Sequence, residues 1–397
     1  MVNSKLLGGV LLIVGTSIGG GMLALPVVTA EAGIVAAIVS MMLCWLIMAA
    51  GAFLVLEVNL RLPSGSNMIS MAQSTLGLPG QVVAWVAYLV LLYSLLSAYI
   101  SGGSDVFNGL LRHAHLDVPT WLTSVIFTAL FGLVVYKGIR TVDYVNRGLM
   151  FGKLGVYILL VSVISPNIHL PSIHTGSAQA VTGSLMILMS SFGFASIVPS
   201  LREYFNDDIL ALRRVIWFGS FIPLVCYILW TVIIMGALQH DDGAHDVLIA
   251  LSHSEHATSG LNEALDVAIH NPWISGFFSF FTSICMVTAF LGVSLGLFDF
   301  LADGLKLKKS GMQGKLTLLF TFMPPLVIVL FSPGIYLSAF AYAGICCVIL
   351  LLLLPALMAW RGRQMAGVDD VPMLPGGNVV LGGIVMASLF FLYLASI

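Results

Sequence analysis

Apolar runs of about twenty residues recur along nearly the whole chain with short polar segments between them, the pattern of helices that cross a bilayer. Reading each run as one helix predicts eleven spans, at about 6–29, 33–59, 81–107, 120–138, 147–165, 180–199, 213–238, 275–301, 315–332, 335–359 and 378–396. No long soluble domain remains between them, so residues 1–397 read as one all-α transmembrane domain.

Two of these runs are interrupted. The first contains Gly15 to Pro26, GTSIGGGMLALP, and three successive glycines each cost a helix interior roughly 1 kcal/mol relative to alanine. The sixth contains Ser190-Ser191-Phe192-Gly193-Phe194-Ala195-Ser196 near its middle. Non-helical backbone at that depth is tolerated where protein or a water-filled cavity satisfies the freed N–H and C=O groups, and in transporters it marks a site near the midplane. The same small residues also suit close helix packing, since Gly15 and Gly19 form a GxxxG pair. Position favours breaks: each interrupted span opens a group of five, and because five is odd the second group enters the membrane from the opposite side. The chain therefore reads as inverted repeats, about 6–166 and about 179–360, with an extra helix at about 378–396.

Composition agrees, with 59% hydrophobic and 9% charged residues and a mean hydropathy of +1.04, against about 25% charged in soluble domains. Charge sets the expected orientation. With a cytoplasmic N-terminus, the inner loops and helix ends collect Lys5, Arg61, Lys137, Arg140, Arg147, Lys153, Arg202, Arg213, Arg214, Lys306, Lys308, Lys309, Lys315, Arg361 and Arg363, leaving Arg112 alone outside. The C-terminus is then external. The net charge of −2 hides this segregation, and no basic stripe exists beyond it, which excludes nucleic acid as a partner. The opening MVNSK lacks a separate charged region, and no small-residue cleavage site precedes the glycines, so the first span is expected to be retained.

All five cysteines fall within spans, where they read as small apolar packing residues without metal or disulfide spacing. All nine histidines fall in outer loops, five of them between His240 and His270; these are solvated loop residues or a zinc or pH-sensing group. That outer loop, about 239–274, also spaces Leu261, Leu265 and Ile269 as on a helix, which fits a lid over the outer mouth or a loop packed on the surface.

Two breaks suit a zwitterion. A half-helix N-terminus attracts a carboxylate, and unwound carbonyls and hydroxyls receive an ammonium. Gly19, Gly20 and Gly21 allow contact with backbone amides, and Thr16, Ser17, Ser190, Ser191 and Ser196 are the nearby hydroxyls, each also able to bond back to its own helix. Phe192 and Phe194, Tyr93 and Tyr99, and Phe290 offer aromatic faces, with Ser94 and Ser97 as polar positions on the third span. Lys153 lies about two turns inside the fifth span. It either snorkels to the inner interface or faces the bundle as a coupling cation that alternates between charged and neutral. Glu57, Asp105 and Asp299 sit near helix ends as anchors or gates.

The stretches GTSIGGGMLALP, LLYSLLSAYISGG, SSFGFASIVPS and FLGVSLGLFDFLAD resemble, in order, motifs of the hydroxy/aromatic amino acid permease family of bacteria, nearest its tyrosine-specific members. The resemblance covers nearly the whole chain. It implies an inner-membrane secondary transporter of LeuT-like fold that imports an aromatic amino acid with protons by alternating access, helices 1, 2, 6 and 7 rocking against 3, 4, 8 and 9. It maps the broken segments to Thr16 through Met22 and to Ser191, Phe192, Gly193 and Phe194, and places Lys153, with Thr288 as neighbour, where a sodium ion sits in related folds. Tryptophan, serine or threonine as substrate, and sodium as coupling ion, are the alternatives.

Enzyme and channel fit less well. The chain has no HExxH, nucleophile elbow, phosphate loop or acidic pair at depth, hence no cofactor is called for, and no Walker sequence for ATP. A channel more often builds a ring of charges or carbonyls from repeated subunits. The expected partners are an amino acid, a proton and the bilayer; oligomeric state has no signature in the sequence.

Overall fold

The computed structural model describes residues 2–113, 115–167, 178–238, 244–254, 256–269, 271–365 and 372–396, and the described residues contain helices and no strand. In chain order the helices are α1 (Val2–Ser17), α2 (Gly20–Thr29), α3 (Ile34–Leu60), α4 (Met68–His113), α5 (Thr120–Tyr136), α6 (Ile139–Ile164), α7 (Ala178–Ser191), α8 (Val198–Phe205), α9 (Ile209–Leu238), α10 (Ala244–Ser252), α11 (Ala257–Ile269), α12 (Pro272–Gly304), α13 (Gly311–Phe331), α14 (Tyr336–Val348), α15 (Leu354–Gln364) and α16 (Gly377–Leu394). A 3₁₀ turn, Phe194–Ile197, joins α7 to α8, and a π-helical turn, Ile349–Leu353, joins α14 to α15.

Among the described residues nine helices are long and apolar enough to cross a membrane, and α1 with α2 make a tenth as a pair bent by 54°. The fourth expected span corresponds to α5, whose 17 residues stop short of that length. Both expected interruptions are present. The first is narrower than the glycine run suggests, because Gly20 and Gly21 already belong to α2. α4 holds an elbow that the sequence reading did not anticipate: Gly77 adopts φ 75, which favours glycine, and turns the short segment before it away from the long helix after it.

α4 is the central post, packed against α14, α12, α5 and α13, while α12 also lies along α6. α1 and α3 pack on α9, and α2 packs on α7. Glycines set the closest approaches. A Cβ at Gly344 of α14 would fall 1.9 Å from the Met186 carbonyl oxygen of α7, and one at Gly51 of α3 would fall 2.2 Å from that of Leu351, so these backbones touch directly.

Ionic contacts tie the basic end together. Buried Glu57 accepts from Arg61 at 3.1 Å, from Arg363 at 2.7 and 2.8 Å, and from the Met373 N–H at 3.0 Å. Arg202 donates to Asp207, to the Asn59 carbonyl, and to the Leu62 carbonyl at 2.8 Å. The ends of α3, α8 and α15 are thereby joined. Burying these charges is tolerable because each has charged or carbonyl partners.

The opposite, histidine-rich end carries a helical cover. α10 packs on α2, and α11 packs on α2, α4, α9 and α12, with Leu261 and Leu265 buried as the helical spacing predicts. The side chain of Ile269, and those of His240, His245 and His270, lie outside the described residues. Asp105 of α4, itself buried, fastens α11 by capping its first turn: it accepts from the Thr258 N–H at 3.2 Å, the Ser259 N–H at 2.8 Å and the Ser259 hydroxyl at 2.8 Å. His256 Nδ1 lies 2.9 Å from the same carboxylate.

Candidate functional site

Breaking a helix frees carbonyls that must be satisfied at depth, and the first break shows where they go. The Ser17 carbonyl accepts from the Tyr227 hydroxyl of α9 at 2.5 Å and that of Ile18 from the Lys153 ammonium of α6 at 2.5 Å, while the Tyr336 hydroxyl of α14 adds a donor at 2.7 Å to the Gly20 carbonyl, which already belongs to the first turn of α2. Three spans thus clamp one break. Lys153 is 1% exposed and points into the bundle, which rules out snorkelling in this structure. Its side chain spans from α6 to the break beside Cys285 of α12.

The glycines serve approach, not backbone conformation. Gly19 is extended at φ −151 and ψ −151, a region open to any residue. A Cβ at Gly20, by contrast, would lie 2.8 Å from Tyr99 Cε1 and 3.1 Å from Met286 Sδ, and one at Gly21 would lie 2.9 Å from the Ser191 hydroxyl oxygen.

What remains open is the other polarity. α2 starts in a buried setting, and among the described residues no side chain caps it and the buried Ser17 hydroxyl beside it has no hydrogen-bond partner. A helix N-terminus carries a partial positive charge of roughly half a unit and unpaired N–H groups. α7 packs on α2 and ends at Ser191, bringing a negative helix C-terminus next to it.

The second break is milder. Gly193 donates to the Ser190 carbonyl at 3.1 Å, and the chain tightens into the 3₁₀ turn before α8. Buried Phe192 packs on Tyr227 with centroids 5.1 Å apart, and the Tyr227 hydroxyl also lies 3.0 Å from the Ser191 carbonyl. One tyrosine therefore bridges both breaks.

Other expected site residues are placed elsewhere or turned inward. Thr16, Ser190 and Ser191 donate to carbonyls of their own helices, as do Thr288 Oγ1 to Ile284 at 2.8 Å and Ser196 to Gly193 at 3.4 Å. Thr288 sits one turn beyond Cys285 and makes no bond to Lys153. Tyr93 donates to the Phe320 carbonyl of α13 at 2.8 Å, a group left without its helical donor by Pro324, so it mends a proline-freed bond. Phe290 belongs to an aromatic cluster of the scaffold with Phe127 at 5.3 Å and Phe322 at 5.7 Å. Ser97 is buried on α4 and its hydroxyl has no partner among the described residues. Met22 and Phe194 are buried beside their respective breaks.

Tyr227, Tyr336 and Met286 were not singled out in the sequence. The available signal, for Tyr227, was chemical: a tyrosine in mid-span needs an acceptor, and a broken helix supplies one.

A cavity of about 590 Å³ runs from the second break to the basic end, lined by Ser196, Pro199 and Ser200, by the first turns of α4, by Trp85 and Tyr88, and by Asp299, Phe300 and Asp303. A smaller one of about 40 Å³ lies at the other end beside Asp105 and His256. Among the described residues no three His, Cys, Asp or Glu side chains come together as a metal site.

Comparison with known proteins identifies the lineage. The model of the tryptophan/tyrosine permease family matches residues 2–396. The tyrosine-specific transport system 1 of Haemophilus influenzae is 31% identical, over 95% of this chain and 93% of its own. The tryptophan-specific transport protein of the same organism is 30% identical, over 97% and 94%. A glutamine transporter 2 of Aliivibrio fischeri is 27% identical, over 96% of both chains. The breaks and their clamps are therefore features of a permease, and the chain belongs to the tryptophan/tyrosine permease family.

Proposed function

We propose that this membrane permease imports tyrosine with protons, and that its substrate lies between the two breaks. The observation that carries this reading is the buried, uncapped start of α2 beside the unpartnered Ser17 hydroxyl and the end of α7. The substrate carboxylate takes the N–H groups of Gly20 and Gly21 with Ser17, and the ammonium takes the carbonyl end of α7. The aromatic side chain meets Tyr99, Phe192 and Met286. Because Tyr99 and Met286 press on Gly20 in this structure, substrate entry requires them to draw back.

Lys153 is the coupling residue in this proposal. As an ammonium it holds the Ile18 carbonyl; on losing its proton it becomes a poorer donor and loosens the break. A proton taken up from one side and released on the other then changes the geometry of the site at which substrate binds.

Several packing relations support eleven spans in inverted LeuT-like repeats with α16 appended. Pairs five spans apart recur: α4 on α5 and α12 on α13, α2 on α9 and α7 on α3, α14 on α4 and α6 on α12. One pair departs from the pattern, for α14 packs closely along α7 while α6 and α1 are not packed along their lengths. With the basic end cytoplasmic, the N-terminus inside and the C-terminus periplasmic, this difference and the cavity support the reading of a bacterial inner-membrane carrier open inward and covered outside by α10 and α11.

The test is radiolabelled tyrosine uptake into proteoliposomes under an inward proton gradient, with a sodium gradient as control and tryptophan, glutamine and serine as competitors. Proton-driven uptake blocked by aromatic competitors is expected. Sodium-driven uptake removes the Lys153 mechanism, and selective uptake of tryptophan or glutamine reassigns the substrate.

A further inference from the structure

The cavity at the basic end has two facing stripes that its role as a passage does not require. On α4, Gln81, Trp85 and Tyr88 recur at helical spacing, and on α12, Gly296, Asp299, Phe300, Asp303 and Gly304 do the same, all lining the space. Phe300 joins the stripes, with ring centroids 5.5 Å from Trp85 and 5.1 Å from Tyr88. Glycine makes room: a Cβ at Gly296 would meet nothing within 4 Å, and one at Gly304 would sit 3.2 Å from the Trp85 indole nitrogen.

Opposite charges border this aromatic floor. Asp299 and Asp303 lie one turn apart on α12, and Lys309 pairs with them at 2.7 and 3.4 Å. The second break opens directly onto the same space through Ser196, Pro199 and Ser200. A ring platform and a carboxylate pair line one cavity, and the Lys309 ammonium is held against those carboxylates; together they match the three parts of an aromatic amino acid.

We infer that the cavity is a second, weaker binding station for an aromatic amino acid, occupied after the substrate leaves the breaks. The ring lies on Trp85, Tyr88 and Phe300, the substrate ammonium takes a share of Asp299 and Asp303, and its carboxylate meets Lys309. Both substrate charges replace parts of an existing partly exposed ion pair, so binding costs little new desolvation and gains mainly ring contact. That makes the station a low-affinity one. It rests on the aromatic transport reading, and it commits the occupant to the substrate itself.

Equilibrium dialysis of the purified full chain with radiolabelled tyrosine tests it. Two tyrosines per chain are expected at saturation, the weaker one competed by phenylalanine and not by serine. In Trp85→Ala the weaker affinity falls by about three- to tenfold, as expected for one lost ring contact, while the tighter site keeps its affinity. Trp85→Phe should keep the station. Asp299→Asn weakens it without removing a ring, which keeps the test decisive if Trp85→Ala does not fold. A single tyrosine per chain with normal uptake, or a second one indifferent to both variants, overturns the station and leaves transport standing. Absence of both binding and uptake for tyrosine, tryptophan and phenylalanine overturns the station together with the reading beneath it.

Discussion

The two breaks face each other across the same tyrosine yet are built differently. At the first, an extended residue separates two helices bent by 54°, Tyr227 and Lys153 hold the freed carbonyls, and Tyr336 from a third span fastens the first turn of α2. At the second, the backbone repairs itself through a 3₁₀ turn and borrows only Tyr227. The first break is held open by the rest of the protein, whereas the second is largely self-sufficient and opens onto the basic-end cavity. A break that depends on outside donors senses the state of those donors. The first is thus suited to coupling, and the second to passage.

Substitutions can break this contrast. Gly20→Val should have the largest effect, abolishing tyrosine uptake, since a branched side chain drives into Tyr99 and Met286; retained affinity in a binding assay would remove the first break from the site. Gly193→Ala, whose Cβ would meet the Ser190 carbonyl at 3.0 Å and Cys347 Sγ at 3.1 Å, should reduce uptake severalfold and leave binding measurable. Lys153→Ala is expected to exceed that loss, abolishing uphill accumulation under a proton gradient while leaving some tyrosine exchange. Normal accumulation by that variant sinks the coupling role.

Hydroxyl deletions sharpen the comparison at smaller cost. Tyr227→Phe keeps the ring on Phe192 and removes the one proton that the hydroxyl shares between two buried carbonyls, a loss of about 1–3 kcal/mol. Tyr336→Phe affects one carbonyl and should lower the unfolding temperature by less. An equal fall in both would mean that the second break takes nothing from Tyr227. Tyr93→Phe, at a half-buried proline-freed carbonyl, should cost about 1 kcal/mol and leave uptake kinetics unchanged. A marked rise in KM for tyrosine would instead return Tyr93 to the site.

The fold was legible where one period dominates. Long apolar runs, two interruptions and the basic loops all carry local signals, and the helices follow them. α5 fell short because Gly138 ends its run with a positive φ of 96, and the elbow at Gly77 was hidden in a stretch that reads as loop. The site was legible only on the side that breaks. Gly20, Gly21, Ser17 and Lys153 announce themselves by being costly inside a span, while Tyr227, Tyr336 and Met286 look like ordinary lining until the freed carbonyls are assigned donors. Tyr93 and Phe290 illustrate the converse: aromatic faces are plentiful in spans, and Pro324 and the scaffold cluster already claim these two.

Gly344 against Met186 remains to be followed through. Where side chains mediate a joint, an ångström of sliding is absorbed by changes of rotamer. Here the touching atoms have no rotamer to change, because backbone rests on backbone. α14 and α7 therefore meet at a joint that rotamer changes cannot ease, and a relative shift there requires the two backbones to move as one or to separate.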